Sequence, residues 1–180
     1  RHQAAYLSRH AAIPKELIHG HPLAPHQYVI DGRTCPSVVD EHGKNVFASV
    51  LESMFLHGGW LHVLGNMLFL AIFGNNVEDR MGRLAYLAFY LFCGYLAAFG
   101  FAAGNPNSTE TLIGASGAIA GVLGAYLVLF PRAKVVSLVP FLFFIPLRLP
   151  AWLVLGSWFV IQALYSNGNG VTSAASVAYL

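Results

Sequence analysis

Two groups of polar residues lie inside apolar stretches of this chain, and their side chains are of types that perform acyl transfer. Ser116 lies in the sequence GASG at 114–117, at the start of an apolar run with helical patterning. Upstream, His57, His62 and Asn66 fall in HGGWLHVLGN, within another apolar run. Polar and ionisable groups at the depth of a bilayer are costly, so each is a functional hypothesis by default. We therefore expect a serine nucleophile and a polar cluster that act together inside a membrane.

The spacing of the polar residues predicts an oxyanion site. His62 and Asn66 are four residues apart, so on a helix they share a face. Both side chains can donate hydrogen bonds, and donors directed at one point are what an oxyanion requires. Ser116 is predicted to open a helix, which leaves its backbone N–H without an intrahelical acceptor. Gly114 has no side chain to block an approaching carbonyl. Acyl transfer then still requires a general base.

Glycines recur along the predicted helix that follows Ser116. Gly117, Gly121 and Gly124 give this helix a face of small residues. In membranes such a face allows a neighbouring helix to pack closely. We therefore expect Gly117 and Gly121 to be structural residues that keep a second helix near the serine.

Most of these residues also have an ordinary structural explanation. A serine in a membrane helix usually makes a hydrogen bond or packs as a small residue, and His62 with Asn66 suits a polar clamp between helices. His57, which precedes two glycines, suits a structural hydrogen bond. Glu78 and Arg80 suit an ion pair or a cap at a helix end. The combination of these features in one order favours catalysis.

The remaining histidines and the two cysteines predict neither a metal site nor a disulfide. His19, His21 and His26 lie in the N-terminal region without clear ligand spacing, so we expect no metal and no cofactor. Cys35 falls in a polar segment and Cys93 in an apolar helix, so a disulfide between them is not expected.

The composition indicates an all-α, polytopic membrane helix bundle whose surroundings are the lipid bilayer. The chain has 180 residues, of which 56% are hydrophobic and 10% are charged, whereas a soluble domain carries about 25% charged residues. The net charge is +2 and no basic stripe is visible, so we expect no nucleic-acid partner.

The chain divides at about residue 45 into a loop region and a membrane domain. Residues 1–45 are rich in Pro, His and Gly and are predicted to lie outside or against the membrane. Within the membrane domain, residues 46–180, the run 135–145 lies among prolines and suggests an interfacial or re-entrant stretch, and a turn is expected at 167–170. Apolar runs predict spans at 60–73 (ended by GNN), 83–103, 112–130 and 151–165.

The distribution of Lys and Arg predicts the orientation in the membrane. Loops 74–83 and 131–150 carry such residues and are expected in the cytoplasm, whereas loops 104–111 and 166–170 carry none. The entry to Ser116 should therefore face the extracytoplasmic side. Residues 1–45 are placed there too, although they carry cations, because long loops translocate largely regardless of charge.

Taken in order, these motifs resemble the rhomboid intramembrane serine proteases. The resemblance runs through HGGWLHVLGNM, NVEDRMG and GASGAIAGVLGAYLVLFPRAKV and covers most of residues 45–180. It implies a six-helix membrane bundle with a water-filled cavity open to the outside. It also implies substrates that are membrane proteins with unstable transmembrane helices, cleaved within or beside such a helix.

The resemblance implies a role for each residue singled out above. Ser116 would be the nucleophile, and His62, Asn66 and the Ser116 N–H would form the oxyanion hole, with Gly114 in the same loop. His57 would stabilise the outer loop, and Glu78 with Arg80 would stabilise a helix junction on the cytoplasmic side.

The chain departs from the family pattern at both ends. The family's base is a histidine on the sixth helix, which completes a Ser–His dyad, but all 8 histidines here lie at or before His62. We therefore expect an excerpt that lacks the first helix and most of the last, that is inactive alone, and whose base follows Leu180.

Two other classes remain open. One is a proteolytically inactive relative that binds transmembrane helices, although the intact GASG, His62 and Asn66 argue against it. The other is a small channel or transporter lined by the His62–Asn66 face, which inverted repeats would favour; none is visible. Compact loops suggest a bacterial cell membrane.

Overall fold

The computed structural model describes residues 6–7, 9–23, 29–30, 33–34, 44–139 and 145–168. The described part is mostly helical, as predicted, but it also contains two short antiparallel two-stranded sheets, which an all-α chain would lack. In chain order the elements are α1 (Pro14–His19), β1 (Val29–Ile30), β2 (Arg33–Thr34), α2 (Val46–Ser53), α3 (Trp60–Phe69), a π-helical turn (Leu70–Gly74), α4 (Asn75–Met81), α5 (Arg83–Gly104), α6 (Ser116–Leu129), β3 (Lys134–Val139), β4 (Ile145–Pro150) and α7 (Ala151–Gly168).

Two of the described helices are long and apolar enough to cross a membrane. The first is the continuous helix Trp60–Met81, formed by α3, the π-helical turn and α4, and the second is α5; each has 22 residues. About 20 apolar residues are needed to cross the hydrocarbon core of a bilayer. Helices α6 and α7 are also apolar, and α6 is shorter, with 14 residues.

The sequence GNN does not end the first span, so the expectation of a helix end there is wrong. The side-chain amide of Asn75 donates to the carbonyl of Ala71 at 3.2 Å, and that of Asn76 donates to Ile72 at 2.9 Å. Because both amides bond to the preceding turn, the helix continues to Met81. It ends at Gly82, whose φ of +81° is readily adopted by glycine.

The other two predicted spans differ from the structure mainly at their ends. Helix α6 begins at Ser116, as the chemistry of the site requires, whereas residues 112–115 are not helical. Leu112 instead forms an isolated antiparallel bridge with Ala12. Helix α7 continues to Gly168, through the first half of the turn expected at 167–170; residues 169–180 lie outside the described residues.

The stretch predicted to be interfacial or re-entrant contains an antiparallel hairpin. Strand β3 pairs with β4 from Lys134↔Pro150 to Val139↔Ile145. Valines at 135, 136 and 139 favour extended backbone because they are β-branched. The hairpin joins α6 to α7 at the end of the bundle where α4 meets α5, since α4 and α6 are in contact.

The core of the bundle is formed by the buried faces of α6 and α7 and by the π-helical turn. Tyr126 of α6 packs edge-on against Phe73 of the turn, with ring centroids 4.9 Å apart. The buried members of this core are Phe73, Val77, Ala115, Ile119, Val122, Leu123, Tyr126, Ala151 and Leu155.

The N-terminal region, predicted as a loop, packs on the bundle where the structure describes it. Helix α1 contacts α5 and α2. Ala12 and Leu17 are buried together with Val46, Val50 and Ala102. His26 and Cys35 lie outside the described residues, so the predictions that concern them stay predictions.

Candidate active site

The polar residues of α3 face the interior of the bundle. His62 and Asn66 are each only 8% exposed, whereas Leu61, Leu64 and Leu68 on the other faces of the helix are exposed. A helix places residues four apart on the same side, and the two polar side chains follow that rule. The structure therefore brings His62 and Asn66 together, as their spacing predicts.

The ring of His62 is oriented by the loop that precedes α3. The N–H of Gly58 donates to His62 Nδ1 at a long 3.4 Å, so a neutral ring carries its proton on Nε2. His57 packs edge-on against this ring, with centroids 5.1 Å apart, and its own Nδ1 lies 3.2 Å from the Phe55 carbonyl. His57 is thus placed as a brace for His62.

Gly114 lies directly against the His62 ring. A Cβ atom at this position would be 2.7 Å from His62 Nε2 and 3.6 Å from Asn66 Nδ2. The backbone φ is +107°, which side chains rarely tolerate, and the Gly114 N–H donates to the Ser53 carbonyl at 2.9 Å. Only glycine fits here, because both the conformation and the available space exclude a side chain.

Asn66 has a donor that is not used within the described residues. Its Nδ2 atom is buried and has no hydrogen-bond partner there. Buried polar groups are nearly always hydrogen-bonded, so an unused donor requires an explanation. An acceptor that arrives with a substrate would satisfy it, since Nδ2 points to the same glycine as His62 Nε2.

Ser116 is the first residue of α6 and is half-buried. The first intrahelical bond runs from the Ile119 N–H to the Ala115 carbonyl, so the backbone N–H groups before Ile119 have no acceptor within the helix. Ser116, Gly114 and His62 line one cavity of about 210 Å³. Asn66 is not among the residues that line this cavity, but its Nδ2 lies 3.6 Å from the position that a Cβ atom on residue 114 would occupy.

The cavity wall includes residues that the sequence analysis missed. Ser53 and Met54, at the end of α2, line the cavity, and the Ser53 carbonyl also anchors Gly114. Helix α5 contributes small residues, among them Ala97 and Ala98. The concentration of Gly and Ala in the second half of α5 was a signal for a closely packed helix, whereas a role for a backbone carbonyl leaves no signal in the sequence.

The face of small residues on α6 is used at two of its three positions. A Cβ atom on Gly117 would lie 2.6 Å from the Cβ of Ala97, and one on Gly121 would lie 2.6 Å from the Cβ of Cys93. Gly124 has open space around it. Helices α5 and α6 therefore approach closely beside Ser116 and diverge farther along.

Glu78 and Arg80 lie at the far end of the bundle and do not pair with each other. Residues two apart on a helix point to different sides, and the Glu78 carboxylate instead lies 3.9 Å from Nε of Arg83. The Glu78 backbone carbonyl accepts the Gly82 N–H at 2.7 Å. Of the two expectations, an ion pair or a cap, the Glu78 carbonyl forms a cap at the junction between α4 and α5, whereas the charged contact of Glu78 is with Arg83 and not with Arg80.

The described residues contain no candidate metal site. No group of three or more His, Cys, Asp or Glu side chains there could hold an ion. The groups available at the cavity are the Ser116 hydroxyl, the His62 ring and the N–H groups at the start of α6, and the Asn66 amide lies close by, with Nδ2 3.6 Å from the position that a Cβ atom on residue 114 would occupy. These groups suit stabilisation of an oxyanion formed by attack on a carbonyl.

Comparison with known proteins identifies relatives that share this region. The family model for the rhomboid domain matches residues 44–179. RHOMBOID-like protein 5 of Arabidopsis thaliana is 32% identical over 78 residues, which cover 43% of this chain and 25% of the relative. Rhomboid protein 1, mitochondrial, of Saccharomyces cerevisiae is 33% identical over 109 residues, covering 58% and 30%.

A third relative covers more of this chain. Rhomboid-like protease 5 of Toxoplasma gondii is 33% identical over 134 residues, which cover 73% of this chain and 14% of the relative. The chain thus spans less than a third of the length of each of these three relatives. All three come from eukaryotes, so the expected bacterial origin finds no support in them. No solved structure matches significantly.

Proposed function

The chain belongs to the rhomboid family, and from this premise we propose that its full-length protein is an intramembrane serine endopeptidase. It cleaves membrane proteins within or beside a transmembrane helix. The observation that carries the proposal is that one cavity is lined by Ser116, the first residue of α6, together with His62 and Gly114. One of the relatives is itself named a protease.

In the proposed mechanism, Ser116 Oγ attacks a peptide carbonyl of the substrate. The proton leaves to a histidine base, and the carbonyl oxygen acquires negative charge in the tetrahedral intermediate. Nε2–H of His62, Nδ2–H of Asn66 and the Ser116 N–H donate to that oxygen. Such donors stabilise the charge as it develops, and they cost no reorganisation because they are already in place.

We assign the base to a histidine that follows Leu180 in the full-length protein. All 8 histidines of this chain lie at or before His62. In this assignment the His62 ring serves as a donor through Nε2, since its Nδ1 already accepts the Gly58 N–H. When the tetrahedral intermediate collapses, the C–N bond breaks and the protonated base gives its proton to the leaving amine. The acyl-enzyme is then hydrolysed by water that the same base activates.

The proposed substrates are membrane proteins whose transmembrane helices unwind easily. Carbonyls inside an α-helix are hydrogen-bonded to the N–H groups four residues later and are shielded by the helix. A nucleophile cannot reach such a carbonyl until the substrate helix opens locally. Local instability near the cleavage site is therefore the property that this mechanism selects.

The proposed location is a multi-pass position in the membrane with the cavity open to the extracytoplasmic side. The end of the bundle opposite Ser116 carries the Lys and Arg residues of the membrane domain, and such residues favour the cytoplasmic side. In the described residues these cations are Arg80, Arg83, Arg132, Lys134 and Arg148.

An inactive relative that binds transmembrane helices is the second candidate, because no histidine of this chain follows His62. Labelling with a fluorophosphonate probe separates the two candidates, since the probe reacts only with an activated serine. The full-length protein in detergent is compared with its Ser116→Ala variant and with the 180-residue chain. A Ser157→Ala variant is the control, because the Ser157 hydroxyl bonds to the Val154 carbonyl on α7.

We expect labelling of the full-length protein and of Ser157→Ala, and none of Ser116→Ala. Labelling that persists in Ser116→Ala would contradict the assignment of the nucleophile. A folded full-length protein that takes up no probe would favour the inactive, helix-binding relative.

A further inference from the structure

A buried ion pair fastens the N-terminal segment to the membrane domain. Nζ of Lys44 lies 2.5 Å from Oε2 of Glu16, and the two side chains are 1% and 0% exposed. Burial lowers the pKa of the Lys44 ammonium, and the Glu16 carboxylate opposes that shift. The Glu16 carboxylate therefore favours the charged form of the ammonium.

Each partner also bonds to the backbone on one side of α1. Lys44 Nζ donates to the Ala11 carbonyl at 2.9 Å, before the helix, and the Leu23 N–H donates to Glu16 Oε1 at 3.0 Å, after it. The pair thus ties together residues 11–23 at both ends. A buried ion pair is weak evidence for stability in itself, because desolvation offsets the attraction. Its geometry, in contrast, defines the position of this segment closely.

The segment fixed in this way holds the loop that leads to Ser116. The Leu112 N–H donates to the Ala12 carbonyl at 2.7 Å, and the Lys15 N–H donates to the Ser108 carbonyl at 3.0 Å. Lys15 adjoins Glu16, and Ala12 adjoins Ala11, whose carbonyl accepts from Lys44. The loop 108–112 is therefore attached at two points to residues that the ion pair positions.

The loop in turn fixes the wall of the cavity. Thr111 and Leu112 line the cavity beside Ser116. Two residues after Leu112, Gly114 is held by the Ser53 carbonyl and lies against His62. A shift of the loop 108–112 would move Gly114 relative to the His62 ring, where the clearance is too small for even one methyl group.

We propose that Glu16 and Lys44 are positioning residues for the active site, which act through the loop 108–114. They touch neither the cavity nor the nucleophile, and they set where Gly114 lies relative to His62. The effect on catalysis rests on the proposed function. The effect on the order of the loop does not rest on the proposed function. The experiment can therefore distinguish a failure of this inference from a failure of the proposed function.

The first test compares Glu16→Gln and Lys44→Met with Lys15→Gln in the full-length protein. Lys15→Gln removes a charge from the same helix without altering the pair. Hydrogen exchange is measured on peptides that cover 108–115 and α5, and the rate of fluorophosphonate labelling is measured in parallel. We expect faster exchange at 108–115 and labelling slowed by about tenfold in the first two variants, with α5 and the control unchanged.

A second test distinguishes positioning from a general loss of folding. Ala12→Cys and Leu112→Cys are combined with Glu16→Gln, Cys35→Ser and Cys93→Ala. Directly opposed residues of an antiparallel bridge have Cβ atoms about 4.5–5.5 Å apart, close to the span of a disulfide. We expect oxidation to restore labelling toward the rate of the unmutated protein, and dithiothreitol to abolish the restoration.

Two results would overturn the inference. One is native exchange at 108–115 in Glu16→Gln although residues 11–23 exchange faster. The other is a cross-link that fails to form, or that forms without restoring labelling. A failure of the proposed function would look different, because the unmutated protein would not label at all while the exchange at 108–115 would still respond to Glu16→Gln.

Discussion

At the scale of single residues, the contact between Gly114 and the His62 ring is the tightest constraint on the site. The sequence indicated that Gly114 lacks a blocking side chain. It did not indicate that the backbone itself would pack on the imidazole, with a φ of +107°. The positive φ and the lack of space beside His62 therefore both restrict residue 114 to glycine, and adding a single methyl group tests both.

We predict that Gly114→Ala slows labelling of Ser116 by at least about tenfold. The Cβ atom would lie 2.7 Å from His62 Nε2, so the ring or the loop must move, and a positive φ costs about 1 kcal/mol or more in a residue other than glycine. Gly124→Ala is the matched control, because no atom lies within 4 Å of its added Cβ. Equal labelling rates in the two variants would contradict the packing described for His62.

We predict that Asn66→Ala lowers kcat for cleavage by about 10²–10³-fold and changes KM little. Nδ2 of Asn66 has no partner within the described residues, so its donor is available to the oxyanion. Asn76→Ala is the control, since that amide bonds to the Ile72 carbonyl on the exposed surface of the same long helix. An unchanged kcat in Asn66→Ala would remove this residue from the oxyanion hole.

At the scale of elements, α5 and α6 approach closely beside the candidate site. An added Cβ at Gly121 would lie 2.6 Å from the Cβ of Cys93, and one at Gly117 would lie 2.6 Å from the Cβ of Ala97. The same helix is open around Gly124, less than one turn farther along. Because Gly121 faces a single side chain, its contact allows a compensating substitution.

We predict that Gly121→Ala lowers the free energy of unfolding by about 1–3 kcal/mol through overpacking. Addition of Cys93→Gly should recover part of this loss, because it removes the atoms that the new methyl group meets. Unfolding in detergent, measured for both single variants and the double variant, gives the coupling between the two sites. Additive losses would show that Gly121 and Cys93 do not share a contact.

The sequence predicted the elements whose signals are local. The span of α5 and the start of α6 at Ser116 follow from apolar runs bounded by loop residues. The passage of the helix through Gly74 was not predictable in this way, because glycine and asparagine usually end helices and here the amides of Asn75 and Asn76 bond backwards.

Long-range structure left less trace in the sequence. Glu16 and Lys44 look like solvated charges of a loop, and only tertiary contact reveals that they are buried together. The hairpin β3–β4 was missed as strands because its prolines suggested interruption, although prolines are tolerated in edge strands. The proximity of the predicted site residues was nevertheless visible in the sequence, since Ser116, His62 and Gly114 line one cavity, and their catalytic roles stay predictions.

At the scale of the whole molecule, the Lys and Arg residues of the membrane domain, residues 46–180, lie at one end of the bundle and the candidate site lies at the other. Lys15 and Lys44 of the N-terminal segment lie on the side of the site, whereas the loop 105–111 on that side contains no Lys or Arg. The proposed orientation rests on the positive-inside rule applied to the membrane domain, because long N-terminal regions translocate largely regardless of charge. This orientation can be tested without any assumption about catalysis.

We predict that Asn107→Cys reacts with a membrane-impermeant maleimide added outside intact cells, whereas Arg132→Cys reacts only after the membrane is permeabilised. Both positions are exposed, so accessibility reports the side of the membrane and not burial. The variants are made in a Cys35→Ser background to remove a competing thiol. The reverse pattern of labelling would invert the proposed topology.

The bridge between Ala12 and Leu112 has a consequence for how the protein is made. Between these two residues lie the helix Trp60–Met81 and α5, the two described helices that are long and apolar enough to cross a membrane. On the proposed topology the chain crosses through the first and returns through the second, so the bridge forms only when both crossings are complete. Ser116 follows both halves of the bridge in the chain, so the proposed nucleophile is synthesised after the segments that surround it. On the proposed function, a nascent chain in which either crossing is incomplete has no assembled site and cannot cut the membrane proteins around it.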